Sequence, residues 1–339
     1  MTDLFVLGDA NIDVLMPIDA YPAPGGDKRS ERTVIGAGGS AANTALALAR
    51  LGFRPSLLAC IGQDLPGQML RAELADGGVD LGHLQTTGAA GTGMMFVPVT
   101  PDGQRTLFGR RGANRQLQGD GLPLEWIGRA GLLHLSGYAF LEGPQVEAAQ
   151  SALSAASDRG VFRSLDTAYE PAFAAGDRLR ALLPSLDLLV VGEAEAADLT
   201  GASQRQAILD WLLEAGVGCV ALKLGGEGSL IADAGGRLAV PAFEVAVIDT
   251  TGAGDNFSAG LLAGQLLELD LPAAAVLATA VAGLATTVWG AGNAPPGLPA
   301  IRRLLNDQGP ALPDPGLVHA AQDVLDKLRG PAGRPTAGP

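Results

Sequence analysis

The sequence predicts an α/β fold, a doubly wound and mostly parallel sheet carrying a small β-sheet lid. Three observations lead there. Short apolar strands alternate with helical patterns along most of the 339 residues, the signature of βαβ units. Glycine clusters stand where strands pass into helices, in GAGGSAAN (36–43) and DTTGAGDN (249–256). Two further segments have strand character without helices between them, as an inserted sheet would.

In chain order, the expected strands are LFVLG (4–8), SLLACIG (56–62), GLLHLSG (131–137), VFRSLD (161–166), LDLLVVG (186–192) and VGCVALKLG (217–225). Helical periodicity falls between them, at 41–51, 66–74, 144–157 and 205–216. The lid segments are placed at about 21–36 and 92–112, with PDGQ (101–104) as a turn. Met94, Met95 and Phe96 read either as lid core, the favoured assignment, or as a face toward substrate. The rest, 1–329, reads as one domain, and GPAGRPTAGP (330–339) as a disordered tail.

Composition narrows the function. Apolar residues make up 47% and aromatics only 4%, so Ala, Leu and Val must build the core. The net charge of −13 argues against a nucleic-acid partner, which needs a basic surface. It leaves an anionic small molecule open, because a glycine-rich loop binds phosphate without net positive charge. Cys60 and Cys219 lie in apolar runs and read as buried strand thiols. His83, His134 and His319 show no metal-binding spacing. MTDLFVLGDA lacks the basic start of a secretory signal, so cytoplasmic residence is expected. The uncharged stretch 271–301 is rich in Ala, Gly and Thr and reads as a buried helix, not a membrane span.

Gly36, Gly38 and Ala41 satisfy GxGxxA, the weak form of a dinucleotide fingerprint. The cluster does not follow the first strand, and no acidic residue stands at the tip of the next strand, so a dehydrogenase is disfavoured. A Walker A loop is excluded, since no Gly-Lys-Ser or Gly-Lys-Thr occurs. Asn43 reads equally as a helix cap or as a ligand-facing amide.

DTTGAGDNFSAG (249–260) carries more chemistry. Glycines before an apolar helix leave backbone N–H groups free to bind an anion, here those of Gly252, Ala253 and Gly254. Asp255 reads either as an N-cap or as a general base beside that nest. The helix terminus is expected to lower its pKa, leaving it ionised and weakly basic.

With these residues in place, the chain resembles the ribokinase-like (PfkB) family of sugar and nucleoside kinases, to about residue 306. GGSAANTALALARLG is similar to the family's first signature and DTTGAGDNFSAG matches the second closely. The resemblance implies an ATP-dependent kinase acting on a primary alcohol. Asp255 would be the base, with Gly252, Ala253 and Gly254 as the anion hole. Asn11, Asp13, Gly38, Gly39 and Asn43 would bind the acceptor. Lys223, Gly225 and Gly228 in LKLGGEGSL, and Gly290, Ala291 and Asn293 in WGAGNAPP, would lie near ATP. Glu195 in VVGEAEAADLTG would organise Mg²⁺, and Asp249 a monovalent cation, which suggests K⁺ activation. Gly192 departs from the family, which usually has Asn there. A ribose-like sugar is the first acceptor expected and a nucleoside (adenosine, inosine or pseudouridine) the second. A non-catalytic sugar-binding regulator is the rival from another class. Arg105, Arg110 and Arg111 read as solvated lid charges, or as contacts to an acidic sugar. The resemblance also implies a homodimer joined through the lid.

Overall fold

A computed structural model describes residues 3–101, 105–290 and 295–329. The PDGQ turn falls mostly outside this set, and Ala291, Asn293 and the tail 330–339 entirely so.

The chain opens with β1 (Leu4–Leu7), β2 (Asn11–Pro17), β3 (Val34–Gly38) and helix α1 (Ser40–Arg50). After β4 (Pro55–Leu58) and β5 (Cys60–Gly62) come α2 (Leu65–Asp76), β6 (Gln85–Thr87), β7 (Gly93–Val99) and β8 (Phe108–Arg110). The middle of the chain holds α3 (Leu124–Ile127), β9 (Leu132–Ser136), α4 (Pro144–Ser157) and β10 (Phe162–Asp166). The short helices α5 (Tyr169–Ala174) and α6 (Gly176–Leu182) follow. Next are β11 (Leu188–Gly192), α7 (Glu193–Thr200), α8 (Arg205–Glu214), β12 (Cys219–Lys223), β13 (Ser229–Asp233) and β14 (Gly236–Val240). Four helices finish it: α9 (Ala253–Leu266), α10 (Leu271–Ala285), α11 (Leu298–Gln308) and α12 (Pro315–Arg329).

The main sheet has eight strands in the order β14-β13-β12-β11-β10-β9-β1-β4. Every pair from β4 to β12 is parallel, and β13 and β14 close one edge as an antiparallel hairpin. The buried strands are nearly continuous Leu and Val because both faces are covered. One face packs on α1, α9, α10, α11 and α12, the other on α4, α7 and α8. This is the doubly wound α/β architecture the alternation predicts.

Small residues let the helices approach closely. A Cβ on Gly260 would lie 2.4 Å from the Ala278 Cα, so only glycine lets α9 meet α10 here. The first half of the uncharged stretch is a buried helix, α10, and no helix among the described residues is long and apolar enough to cross a membrane.

A separate four-stranded sheet has the order β3-β2-β7-β8. Its composition differs from the expected lid segments. Residues 21–33 form no strand, and β2, with Asn11 and Asp13, supplies a central strand instead. Alternation splits the Met94–Phe96 run: Met95 shares a face with its register partner Asp13, whereas Phe96 points to the opposite, exposed side. The 56–62 run also divides, with Leu58 ending a main-sheet strand and Cys60 starting the short β5–β6 pair. Cys60 is buried and Cys219 half-buried, both as free thiols on strands.

Candidate active site

A cavity of about 230 Å³ lies at the carboxyl ends of the parallel strands, where open α/β sheets bind ligands. Asp166 ends β10 and Lys223 ends β12; Glu195 of α7 and the first turn of α9 add to the same wall. Asn11, Asp13 and Met95 of the small sheet face them, beside Gly39 and Asn43.

Gly252 makes the start of α9 possible. Its φ of 69° is left-handed, a conformation costing a residue with a Cβ roughly 1–2 kcal/mol. The Ala253 N–H donates to the Thr250 carbonyl at 3.3 Å and is already engaged. Among the described residues, the N–H groups of Gly252, Gly254 and Asp255 have no protein acceptor. Of the three amides the sequence suggested, those of Gly252 and Gly254 are open, and Asp255 adds one more.

Asp255 does not cap its helix; Gly252 holds that position. Its carboxylate accepts from Asn43 Nδ2 at 2.8 Å. Asn43 is inside α1, so it is not a cap either. Burial and the nearby Asp166 raise the Asp255 pKa to about 6, against the lowering effects of Asn43 and Lys223. This overturns the expectation of a depressed value: loss of water outweighs the helix terminus.

Asp13 is buried with its carboxyl lying over Gly38, where a Cβ would come within 2.0 Å of the carboxyl carbon. Burial first, then Asp255, raises its pKa to about 7, while Arg105 opposes the shift. Its Oδ1 is buried without a partner, and the residue lines the cavity. Asn11 Oδ1 accepts from Asn114 Nδ2 at 2.7 Å, and Asn114 Oδ1 takes the Ala10 N–H at 2.8 Å.

Behind Asn11 lies an ion pair that the sequence reading missed. Arg111 donates to both Asp9 oxygens, at 2.9 and 2.8 Å, and to Gln145 Oε1. Arg111 is buried, so the assignment of a solvated lid charge is wrong for it. Of the other two lid arginines, Arg110 is exposed, and Arg105 lines the cavity and donates to Thr250 Oγ1 at 3.1 Å.

On the opposite wall Lys223 Nζ donates to both oxygens of Asp166, at 2.9 and 3.1 Å. Ser258 Oγ of α9 donates to the same carboxylate at 2.7 Å. Burial alone would lower the Lys223 pKa, but Asp166 and Glu195 raise it overall, so the ammonium keeps its proton. Glu195 Oε2 accepts from the Gly192 N–H and from Thr167 Oγ1, each at 2.7 Å, leaving Oε1 open. Asp249 is fully buried and accepts from the Thr251 N–H, Thr251 Oγ1 and the Gly290 N–H.

Nine of the expected residues therefore line one cavity: Asn11, Asp13, Gly39, Asn43, Glu195, Lys223, Gly252, Gly254 and Asp255. Gly38, Ala253, Asp249, Gly225, Gly228 and Gly290 do not line it. Gly225 and Gly228 form the turn from β12 to β13. Ala291 and Asn293 lie outside the described residues. Asp166 was the main omission, although its place at the end of VFRSLD, a parallel strand, was the available signal.

The pfkB family carbohydrate kinase model matches residues 1–297. The chain is 30% identical over 302 residues to ribokinase of Haemophilus influenzae, across 86% of this chain and 95% of that protein. It is also 30% identical over 296 residues to the ATP-dependent ribose-1-phosphate kinase of Halopiger xanaduensis, across 87% and 95% respectively. The solved ribokinase of Thermotoga maritima superposes with a TM-score of 0.78 at 25% identity, covering 90% of this chain and 100% of that one. With a family match over most of its length and relatives aligned nearly end to end, the chain belongs to the pfkB family of carbohydrate kinases, phosphotransferases that act on an alcohol group.

Proposed function

We propose that this protein transfers the γ-phosphoryl group of ATP to a primary hydroxyl of a small, ribose-like sugar. One observation carries the reading: a carboxylate with a pKa near 6, Asp255, sits beside the unpaired backbone N–H groups of Gly252, Gly254 and Asp255 in a cavity lined by polar side chains. Asn11, Asp13 and Asn43 hold the sugar hydroxyls. Asp255 accepts the proton of the attacking hydroxyl, and the Gly254 and Asp255 amides, with Gly252 shaping the turn, hold the migrating phosphoryl group. Phosphoryl transfer asks mainly for positioning and charge neutralisation, so a base of this strength suffices.

Glu195 fits a role in holding Mg²⁺ through water, since its Oε1 is open while Oε2 is anchored. Mg²⁺ held there would neutralise charge on the donor phosphates. Asp249 fits a monovalent cation such as K⁺: it is fully buried, with no Lys or Arg partner among the described residues. The ATP base and ribose lie along the Gly225–Gly228 turn and the loop entered at Gly290. Two protomers pair through the small sheet, and the protein works in the cytoplasm.

The test is ADP release from Mg·ATP, with and without K⁺. The acceptor panel is ribose, ribose 1-phosphate, fructose, 2-keto-3-deoxygluconate, adenosine, inosine and pseudouridine. A sugar with the highest kcat/KM supports the proposal, and a nucleoside in that place shifts the acceptor while keeping the chemistry. Sugar binding with no ADP formed from any acceptor would instead mark a non-catalytic binder.

A further inference from the structure

The main-sheet wall of the cavity holds a strained residue. Ala168 has a φ of 54° and a ψ of 158°, a region that only glycine enters without penalty. Among the described residues one other non-glycine residue has a positive φ, Glu268, and it does not line the cavity, whereas Ala168 does.

Both flanks hold Ala168 in this conformation. Before it, the Thr167 N–H donates to the Val190 carbonyl at 3.1 Å and Thr167 Oγ1 to Glu195. The Thr167 carbonyl fills the space that a Cβ on Gly137 would need. The Ala168 N–H itself donates to Asp166 Oδ1 at 3.3 Å. After it, α5 begins at once: the Ala168 carbonyl accepts the Ala172 N–H at 3.2 Å, and Pro171 and Ala172 are buried. A helix fixed in this way turns Tyr169 and Phe173, one turn apart, to its open side. Phe173 is 78% exposed. Tyr169 is 63% exposed and lines the acceptor cavity.

The edge and the faces of a sugar ring differ in chemistry. Asn11, Asp13 and Asn43 suit the hydroxyls at its edge, but its faces are C–H surface, which gains by leaving water against an apolar group. On the small-sheet wall Met95, the register partner of Asp13, offers such a surface. On the main-sheet wall Tyr138 is already half-buried, and the Tyr169 ring still has most of its area to cover.

We propose that Tyr169 is an acceptor-specificity residue whose ring covers the C–H face of the sugar, with Ala168 as its positioning residue. The strained turn, anchored through Thr167 and α5, points the ring at the cavity. The inference rests on the kinase reading above and deepens it by naming the surface of the acceptor that is read.

Steady-state kinetics with ribose, fructose and 2-keto-3-deoxygluconate as acceptors test it. Tyr169→Ala is expected to raise the acceptor KM about 10-fold, on the order of a lost aromatic contact. The kcat and the KM for ATP should stay within about twofold, and Tyr169→Phe, which keeps the ring, should keep the acceptor KM. Ala168→Gly separates positioning from folding. Glycine carries no penalty at this φ and ψ, so the denaturant midpoint should not fall, while the acceptor KM rises about threefold or more because the turn no longer fixes the ring. An Ala168→Gly variant with the wild-type KM overturns the positioning role. Tyr169→Ala with an unchanged acceptor KM, or with the KM for ATP raised in its place, overturns the assignment while the kinase reading stands. A wild type that forms ADP with none of the three sugars overturns the sugar-kinase reading and this inference together.

Discussion

Asn43 Nδ2 donates to Asp255 Oδ2 at 2.8 Å, joining two glycine-flanked helix starts that lie 212 residues apart in sequence. The bond fixes the carboxylate's orientation toward the cavity and favours its charged form. Asp255→Asn should keep acceptor binding and lose about 10²–10⁴-fold in kcat. Asn43→Ala should lose less, about 10-fold, because the carboxylate survives without its guide. Steady-state kinetics of both variants check this. Turnover of Asp255→Asn near the wild-type rate would remove Asp255 from the chemistry.

The two raised carboxyls set a pH dependence. A base works only when ionised, so kcat/KM should fall as pH drops through about 6 to 7. Asp255 and Asp13 titrate there as an interacting pair. Asp166 and Lys223 face Asp255 from the main sheet, with opposite effects on its pKa. Stability has the opposite sign. A carboxyl whose folded pKa is raised stabilises fully below its unfolded value, near 4, and that contribution is lost as pH rises through the folded value. Asp13→Asn should therefore raise the unfolding free energy more at pH 8 than at pH 4, by a difference on the order of 1–4 kcal/mol. Equal gains at both pH values would mean that Asp13 ionises without penalty.

Much of this was legible in the sequence because it depends on local pattern. Runs such as LLHLS and LLVVG are strands wherever both faces are covered, and DTTGAGD states its own turn and helix start. The small sheet was harder to read. Its partner strands come from separated stretches of chain, and nothing local in NIDVLMP says that it leaves the main sheet to pair with β7. Charge assignments failed for a similar reason. Arg111 reads as a surface charge until folding brings Asp9, 102 residues away, against it. The Asp255 pKa turned on burial, which no spacing encodes.

Asn114 gives a prediction about acceptor recognition. By donating Nδ2 to Asn11 Oδ1, it commits that oxygen and turns the Asn11 amide N–H₂ toward the cavity. Asn114→Leu should free Asn11 to flip and raise the acceptor KM about 10-fold, with the KM for ATP unchanged. Breaking the pair behind it costs more: Arg111→Met leaves Asp9 buried without its cation, held only by the Gln145 Nε2 hydrogen bond, a loss of roughly 3–5 kcal/mol. Denaturant midpoints separate the two. Asn114→Leu strands the Ala10 N–H, a cost of about 1–3 kcal/mol, so its midpoint should fall less than that of Arg111→Met while its KM rises, and equal changes in both variants would mean that the network only supports the fold.

The outer face of the small sheet supports the predicted dimer. Ile35, Val14, Phe96 and Phe108 are register partners across all four strands and form one apolar row. Ile35, Phe96 and Phe108 stay 52%, 38% and 55% exposed. Aromatic side chains of this size each bury roughly 150–250 Å² when covered, so two facing rows would bury a substantial part of the roughly 800 Å² per partner of a standard interface. Phe96→Lys/Phe108→Lys should sediment as a monomer where the wild type sediments as a dimer. The opposite face, with Asp13 and Met95, is untouched by the change, so acceptor binding should persist, weakened only as far as pairing steadies the sheet. A wild type that is monomeric at micromolar concentration would leave the row without this partner and sink the dimer.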